Sequence, residues 1–198
     1  FREFAFNGPC GEIAGRLMGS SQIDLFNDHL FVKEPGTPGS RVPWHQDQPY
    51  CAVKGRQFCS TWVPLDPVPQ ETTVEYILGS HLWERWFAPF DAMRDGAAHG
   101  SQEFERIPDF EAERENHNIA SWTLEPGDCL AFHALIVHQG MANPTSTTRR
   151  RAVIGRFLGD DATYAEREPR CEFPHNPPPL ENGEPLRNAP EDFPHVWP

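Results

Sequence analysis

The sequence predicts an all-β core, a sandwich or a barrel. Short runs rich in β-branched and aromatic residues recur at 21–33, 57–65, 72–78, 121–124, 129–138 and 150–158. Turn residues separate them, as expected of a chain with 21 Pro and 15 Gly. Long amphipathic helices do not intervene. Short strands joined by turns build sandwiches and barrels, whereas strands alternating with helices build a parallel sheet.

The elements follow in chain order. Residues 11–18 fit a turn or two of helix. From Ser21 to Lys33, Ile23, Leu25, Leu30 and Val32 alternate with polar or aromatic neighbours, which predicts one or two strands. The Gly- and Pro-rich stretch 34–40 is a loop. Residues 43–50 are read as extended. Gln57 to Leu65 is a strand, 66–69 a turn, and Thr72 to Leu78 a strand closed by Gly79-Ser80. Residues 84–118 are polar and acidic, broken by Pro89, Gly96, Gly100 and Pro108. An insertion of that length is expected to act as a lid near a substrate mouth. Ser121 to Leu124 is a short strand, 125–128 a turn, Cys129 to His138 one strand, and 140–148 a loop. Arg150 to Leu158 is the last clear strand. Residues 160–198, rich in Pro and charge, are an extended tail packing over the core through Phe173, Phe193 and Trp197. The stretch 1–198 then forms one domain. The chain starts at Phe1 without Met, so a natural N-terminal segment is expected to be missing.

Composition excludes several functions. A net charge of −12 argues against a nucleic-acid surface, which needs a basic face. The apolar run 130–137 is too short to cross a membrane, and no signal pattern leads the chain. Five cysteines without a CxxC pair point to buried free thiols in a reducing, cytoplasmic setting. No phosphate loop, nucleophile elbow, HExxH or dinucleotide fingerprint occurs. The sequence carries no signature of oligomeric state.

The stretch Trp44-His45-Gln46-Asp47-Gln48-Pro49-Tyr50 carries the chemistry. Residues two apart on a strand share a face, so His45 and Asp47 can close on one metal ion. The third ligand is His138. On a continuous strand His133 and His138 fall on opposite faces, and His138 stands where the apolar run ends. His133 takes a structural role. Two His and one carboxylate with open positions suit non-haem iron. Arg149, Arg150 and Arg151 begin the last strand. A guanidinium there could grip the far carboxylate of a metal-chelating diacid, while the other two are solvated. Trp62 and Phe58 belong to core or pocket. His29 lies on an upstream strand, and His81 is a turn residue. His99, His117, His175 and His195 read as solvated. Asn143 holds its loop by local hydrogen bonds. Cys59 and Cys129, on strands, read as inert.

In order and spacing, Pro43-Trp44-His45-Gln46-Asp47, Ser60-Thr61-Trp62-Val63-Pro64-Leu65-Asp66, Leu78-Gly79-Ser80-His81, Pro126-Gly127-Asp128 and His138…Asn143…Arg150 resemble the phytanoyl-CoA dioxygenase family. The resemblance covers about 33–161. It implies a double-stranded β-helix, a jelly roll of cupin-like type, with a polar insertion and a few short helices. It implies Fe(II), 2-oxoglutarate and O2 as cofactors, with His45, Asp47 and His138 as iron ligands and catalytic centre. It implies hydroxylation of a C–H bond in a small organic substrate, with release of succinate and CO2. The cosubstrate arginine is Arg149 by loop length and Arg150 by strand parity; we favour Arg150, which shares a face with Ala152 and Ile154. Trp62 matches a tryptophan near the cosubstrate, and His29 falls near a pocket-lining position. The Asn-Gly common in relatives after the LDP turn is absent here. Asp47 is retained where halogenating relatives carry a small residue, which favours hydroxylation. Two other readings share the fold: a cupin-like isomerase or hydrolase using Zn or Mn, and a non-catalytic binding module.

Overall fold

The structure is a computed structural model and describes residues 1–89, 104–145, 147–167, 173–174 and 176–198. Two helices open the chain, α1 at Arg2–Asn7 and α2 at Cys10–Met18. Gly19 ends α2 in the left-handed conformation, φ 63°, which glycine adopts without a Cβ penalty. Cys10 and Ala14 turn inward and pack with Ile23, Leu25, Cys59 and Phe157. Gly15 keeps this contact close, since a Cβ there would collide with the Trp197 ring.

Eleven strands follow among the described residues: β1 Ile23–Lys33, β2 Val42–His45, β3 Val53–Lys54, β4 Phe58–Pro64, β5 Val74–Ile77, β6 Ile119–Ala120, β7 Leu130–His133, β8 His138–Gly140, β9 Arg150–Leu158, β10 Thr163–Tyr164 and β11 His195–Trp197. The larger sheet has the order β11-β1-β9-β4-β7, the smaller β2-β8-β5-β6, and β10 pairs with β3. All these pairings are antiparallel. Trp62, Ala152 and Ile154 of the larger sheet meet Val74 and Tyr76 of the smaller in one apolar cluster. Two antiparallel sheets closed over a shared core make the expected jelly roll.

Strand β9 sets the interior. It lies between β1 and β4, and its even-numbered residues Arg150, Ala152, Ile154 and Arg156 are buried. Across from them on β1 stand Lys33, Phe31, His29 and Asn27 in turn. A bulge between Leu25 and Asn27 shifts the register, so the odd residues beyond it face the same interior.

Four expectations need correcting. Cys129 to His138 is not one strand: β7 ends at His133, residues 134–136 turn, and β8 begins in the other sheet. Residues 121–124 form no strand; the strand lies at β6, and Leu124 makes only an isolated bridge to Val68. The C-terminal stretch is more than an extended tail, because β10 and β11 both pair with the body of the fold. Phe193 is buried there beside Phe26, ring centroids 5.7 Å apart. Finally, the insertion is not wholly polar in its packing. Phe87 and Phe110 are buried with Trp44, Ile77 and Val137. The middle of the expected lid, 90–103, lies outside the described residues, as do His99 and His175. No described helix is long and apolar enough to cross a membrane.

Candidate metal centre and its two chambers

His45 closes β2, and Asp47 follows two residues later in a turn, with φ −73° and ψ −43°. The pair therefore does not share a straight strand. The chain bends after His45, which brings its Nε2 to 3.6 Å from Asp47 Oδ1. Buried backbone groups must find partners, and here they hold the bend. The Asp47 and Gln48 amides both donate to Ala134 O, at 2.9 and 3.0 Å. Between the two ligands, Gln46 is buried and pinned. Its amide donates to Arg85 O and Leu135 O, and its carbonyl accepts from the Phe87 amide. The turn that breaks β7 from β8 is thus the brace of the ligand loop.

His138 opens β8 directly opposite His45 in the ladder. Its Nε2 lies 3.8 Å from Asp47 Oδ1, and the two imidazole centroids are 4.2 Å apart. One ligand atom from each of His45, Asp47 and His138 falls within 4.8 Å of the others. His45 Nδ1 faces Pro43 O at 2.8 Å and His138 Nδ1 faces Ile136 O at 3.0 Å. A carbonyl accepts only, so each Nδ1 carries the proton and each Nε2 presents a lone pair. Burial, then the neighbouring His45, pushes His138 down to about 4, so it stays a neutral donor. Two imidazoles and a carboxylate fit a divalent iron.

Asp47 is buried, and burial alone would raise its pKa. The Arg156 guanidinium leads the contacts that outweigh it and hold the carboxyl well below the usual range. Arg156 donates to both carboxylate oxygens at 3.1 Å, and Ser60 Oγ donates to Oδ2 at 2.8 Å. These contacts orient the carboxylate. Sequence reasoning missed both residues. Parity could have found them: Arg156 is six residues beyond Arg150 on one strand face, and Ser60 is two before Trp62.

Two chambers meet at this cluster. The inner one, about 70 Å³, has largely apolar walls that include Phe31, Val42, Trp62 and Phe132. Lys33 and Arg150 stand in it as well. The outer one, about 440 Å³ and more open, is walled by His29, Phe31, Tyr50 and Phe173, with Arg41 at its side. His29 therefore lines the outer chamber, beside Phe31 and Phe173, and does not reach the inner one. Trp62 lines the inner chamber.

The three consecutive arginines separate cleanly. Arg149 is half exposed and bonds Glu34 at 2.9 Å. Arg151 makes a forked pair with Asp66 on the surface. Only Arg150 of the three is buried and turned into the inner chamber. Its Nη2 donates to Met141 O at 2.8 Å, and its Nη1 is buried without a partner. Asn143 holds the preceding loop, donating to Lys33 O and Thr148 O. His133 stacks on His81, centroids 5.4 Å apart, away from the cluster. His117 packs on Phe110 at 5.1 Å and is less solvated than its sequence context implied.

The phytanoyl-CoA dioxygenase (PhyH) family model matches residues 2–152. A curated relative, a probable phytanoyl-CoA dioxygenase of Caenorhabditis elegans, is 24% identical over 164 residues. The match covers 76% of this chain, which spans about half (48%) of that relative. Among solved structures, the non-heme alpha ketoglutarate dependent carbocyclase SnoK from nogalamycin biosynthesis superposes with a TM-score of 0.71. It is 24% identical, over 98% of this chain and 70% of its own. The epimerase SnoN, in complex with Fe3+, alpha ketoglutarate and nogalamycin RO, gives 0.67 at 22% identity, over 98% and 73%. At these identities the two structures show a shared fold. With the family pattern spanning most of its length, the chain belongs to the phytanoyl-CoA dioxygenase family.

Proposed function

We propose that this protein is an Fe(II)- and 2-oxoglutarate-dependent dioxygenase that hydroxylates a C–H bond of a small organic molecule. The carrying observation is the cluster of half-buried His45 with buried Asp47 and His138, with an unpartnered guanidinium in the chamber on one side and an open chamber on the other. His45 Nε2, Asp47 and His138 Nε2 would hold the iron. Iron with 2-oxoglutarate and O2 would supply the oxidising chemistry, with succinate and CO2 as coproducts.

The chain's own residues do the rest. Pro43 O and Ile136 O keep each imidazole proton on Nδ1, so both Nε2 lone pairs stay free for the metal. Arg156 and Ser60 fix the rotation of the Asp47 carboxylate. Arg150 takes the far carboxylate of the diacid in a chamber whose apolar walls exclude water and strengthen the charge pairing. Trp62 packs along the inner chamber, and the aromatic wall of the outer chamber holds the molecule to be oxidised. The retained Asp47 occupies the position a halide would need. A non-catalytic module has no use for an unpaired buried guanidinium, which costs desolvation energy. A cytoplasmic location belongs to the same reading, and the acidic chain agrees with a small-molecule partner rather than nucleic acid.

The test is reconstitution with Fe(II), 2-oxoglutarate and candidate substrates under 18O2. Hydroxylation adds one labelled oxygen to the product and yields one succinate per turnover. A product of unchanged mass, or one lighter by two hydrogens, would instead point to epimerisation or ring closure at the same cluster. No succinate with any substrate, in protein shown to hold iron, would overturn the reading.

A further inference from the structure

Lys33 and Arg150 form a second cluster that the iron ligands do not explain. They are direct cross-strand partners on β1 and β9, at the end of the strand pair away from Arg156. Both are buried, and both turn into the inner chamber. Like charges set opposite each other on a sheet repel. Among the described residues no carboxylate lies within ion-pair distance of either. Their polar contacts are carbonyls: Lys33 Nζ donates to Gly140 O at 3.2 Å and Met141 O at 2.9 Å, and Arg150 Nη2 donates to the same Met141 O. An ammonium has three donors, so one Lys33 N–H is left over, beside the unpartnered Arg150 Nη1. Burial and the Arg150 charge push Lys33 down to about 7.

Two buried cations with spare donors in an apolar chamber form a site for an anion. We propose that Lys33 is a cosubstrate-binding residue: with Arg150 it forms a two-cation cradle for the far carboxylate, and it selects dicarboxylate 2-oxoacids over those with an uncharged tail. This rests on the reading of the inner chamber as the 2-oxoglutarate site. It adds a residue from a different strand, one with no basic cluster around it in the sequence. The carbonyl contacts hold the ammonium in place, while the incoming carboxylate offsets the repulsion that the pair carries alone. Charge-assisted hydrogen bonds of this kind exceed neutral ones in strength.

The test is calorimetric titration of the Mn(II)-loaded protein with 2-oxoglutarate and with 2-oxovalerate, which keeps the chelating end and lacks the far carboxylate. Lys33→Met should weaken 2-oxoglutarate about 10- to 100-fold, the range for lost charge-assisted hydrogen bonds. It should leave 2-oxovalerate and Mn(II) affinity within about twofold. Lys33→Gln keeps an uncharged donor for the Gly140 and Met141 carbonyls and should show the same selective loss if the methionine variant folds poorly. Lys33→Arg should restore most of the affinity. Equal weakening of both oxoacids, or unchanged 2-oxoglutarate binding in Lys33→Gln, would make Lys33 a brace for residues 140–141 and overturn the proposal. Arg150→Met serves as the control. If it too binds 2-oxoglutarate normally, the assignment of the chamber itself fails, a result distinct from the failure of Lys33 alone.

Discussion

Arg156 grips Asp47 through both carboxylate oxygens at 3.1 Å, and both side chains are buried. In the metal-free protein this guanidinium is the main counter-charge of the carboxylate that would hold iron. Breaking one side of a buried pair strands the other charge, at about 3–5 kcal/mol. Arg156→Met is expected to destabilise the metal-free protein on that scale in urea unfolding. Added Mn(II) should recover part of the loss, because the cation takes over the role of the guanidinium. An equal loss with and without metal would show that Arg156 acts only through packing.

The neighbouring arginines give a contrast within three residues. Arg150 is buried in the inner chamber, whereas Arg149 pairs with Glu34 at the surface. Arg150→Met should weaken 2-oxoglutarate by at least about 100-fold, and Arg149→Met by less than about threefold, since exposed pairs contribute little. Titration of both variants decides it. The reverse order would return the anchor to Arg149.

His138 makes metal-free stability depend on pH. Its pKa falls from an ordinary 6.5 when unfolded to about 4 when folded, because burial disfavours the imidazolium. The folded state thus binds fewer protons in that window. Stability is complete above about pH 6.5 and declines as pH drops toward 4, by about 2 kcal/mol between pH 7.5 and 5. The Asp47 contribution, with its pKa held low, is lost only at more acid pH. Urea midpoints across this range on chelator-treated protein would check it, and His138→Gln should flatten the slope.

The segment after the undescribed stretch is tied down by charge. Arg114 forks onto Glu75 with two 2.9 Å hydrogen bonds, and Gln139 donates to Glu75 at 2.6 Å. Arg41 joins Gln139 to Glu111. Glu75→Ala removes the central acceptor, at about 1–3 kcal/mol. Amide exchange at 111–117 should then speed up by about 10-fold or more while β9 stays protected. Uniform acceleration would mean that Glu75 supports the whole core instead.

Much of the site was legible in the residues. Alternation and turn chemistry marked β1, β4, β5 and β9, because period and punctuation are local properties. The spacing of His45 and Asp47 marked a candidate ligand pair, although a bend after His45 and not a shared strand face brings the two together. Yet the choice of His138 over His133 came from parity along a strand that does not exist. The two histidines lie in different sheets, separated by the turn whose Ala134 carbonyl braces the Asp47 loop. Nor did spacing place His29, which lines the outer chamber beside Phe31 and Phe173.

The sequence alone determined the strand-rich character, the candidate ligand pair in one short stretch and the candidate arginines, since each depends on residues close together in the chain. Only the tertiary structure decided which arginine faces inward, that Arg156 neutralises Asp47, and that Lys33 stands opposite Arg150. Those relations are set by strand register between segments more than 100 residues apart, as in the pairing of Lys33 with Arg150. A one-residue slip in that register would turn every one of these side chains to the other face.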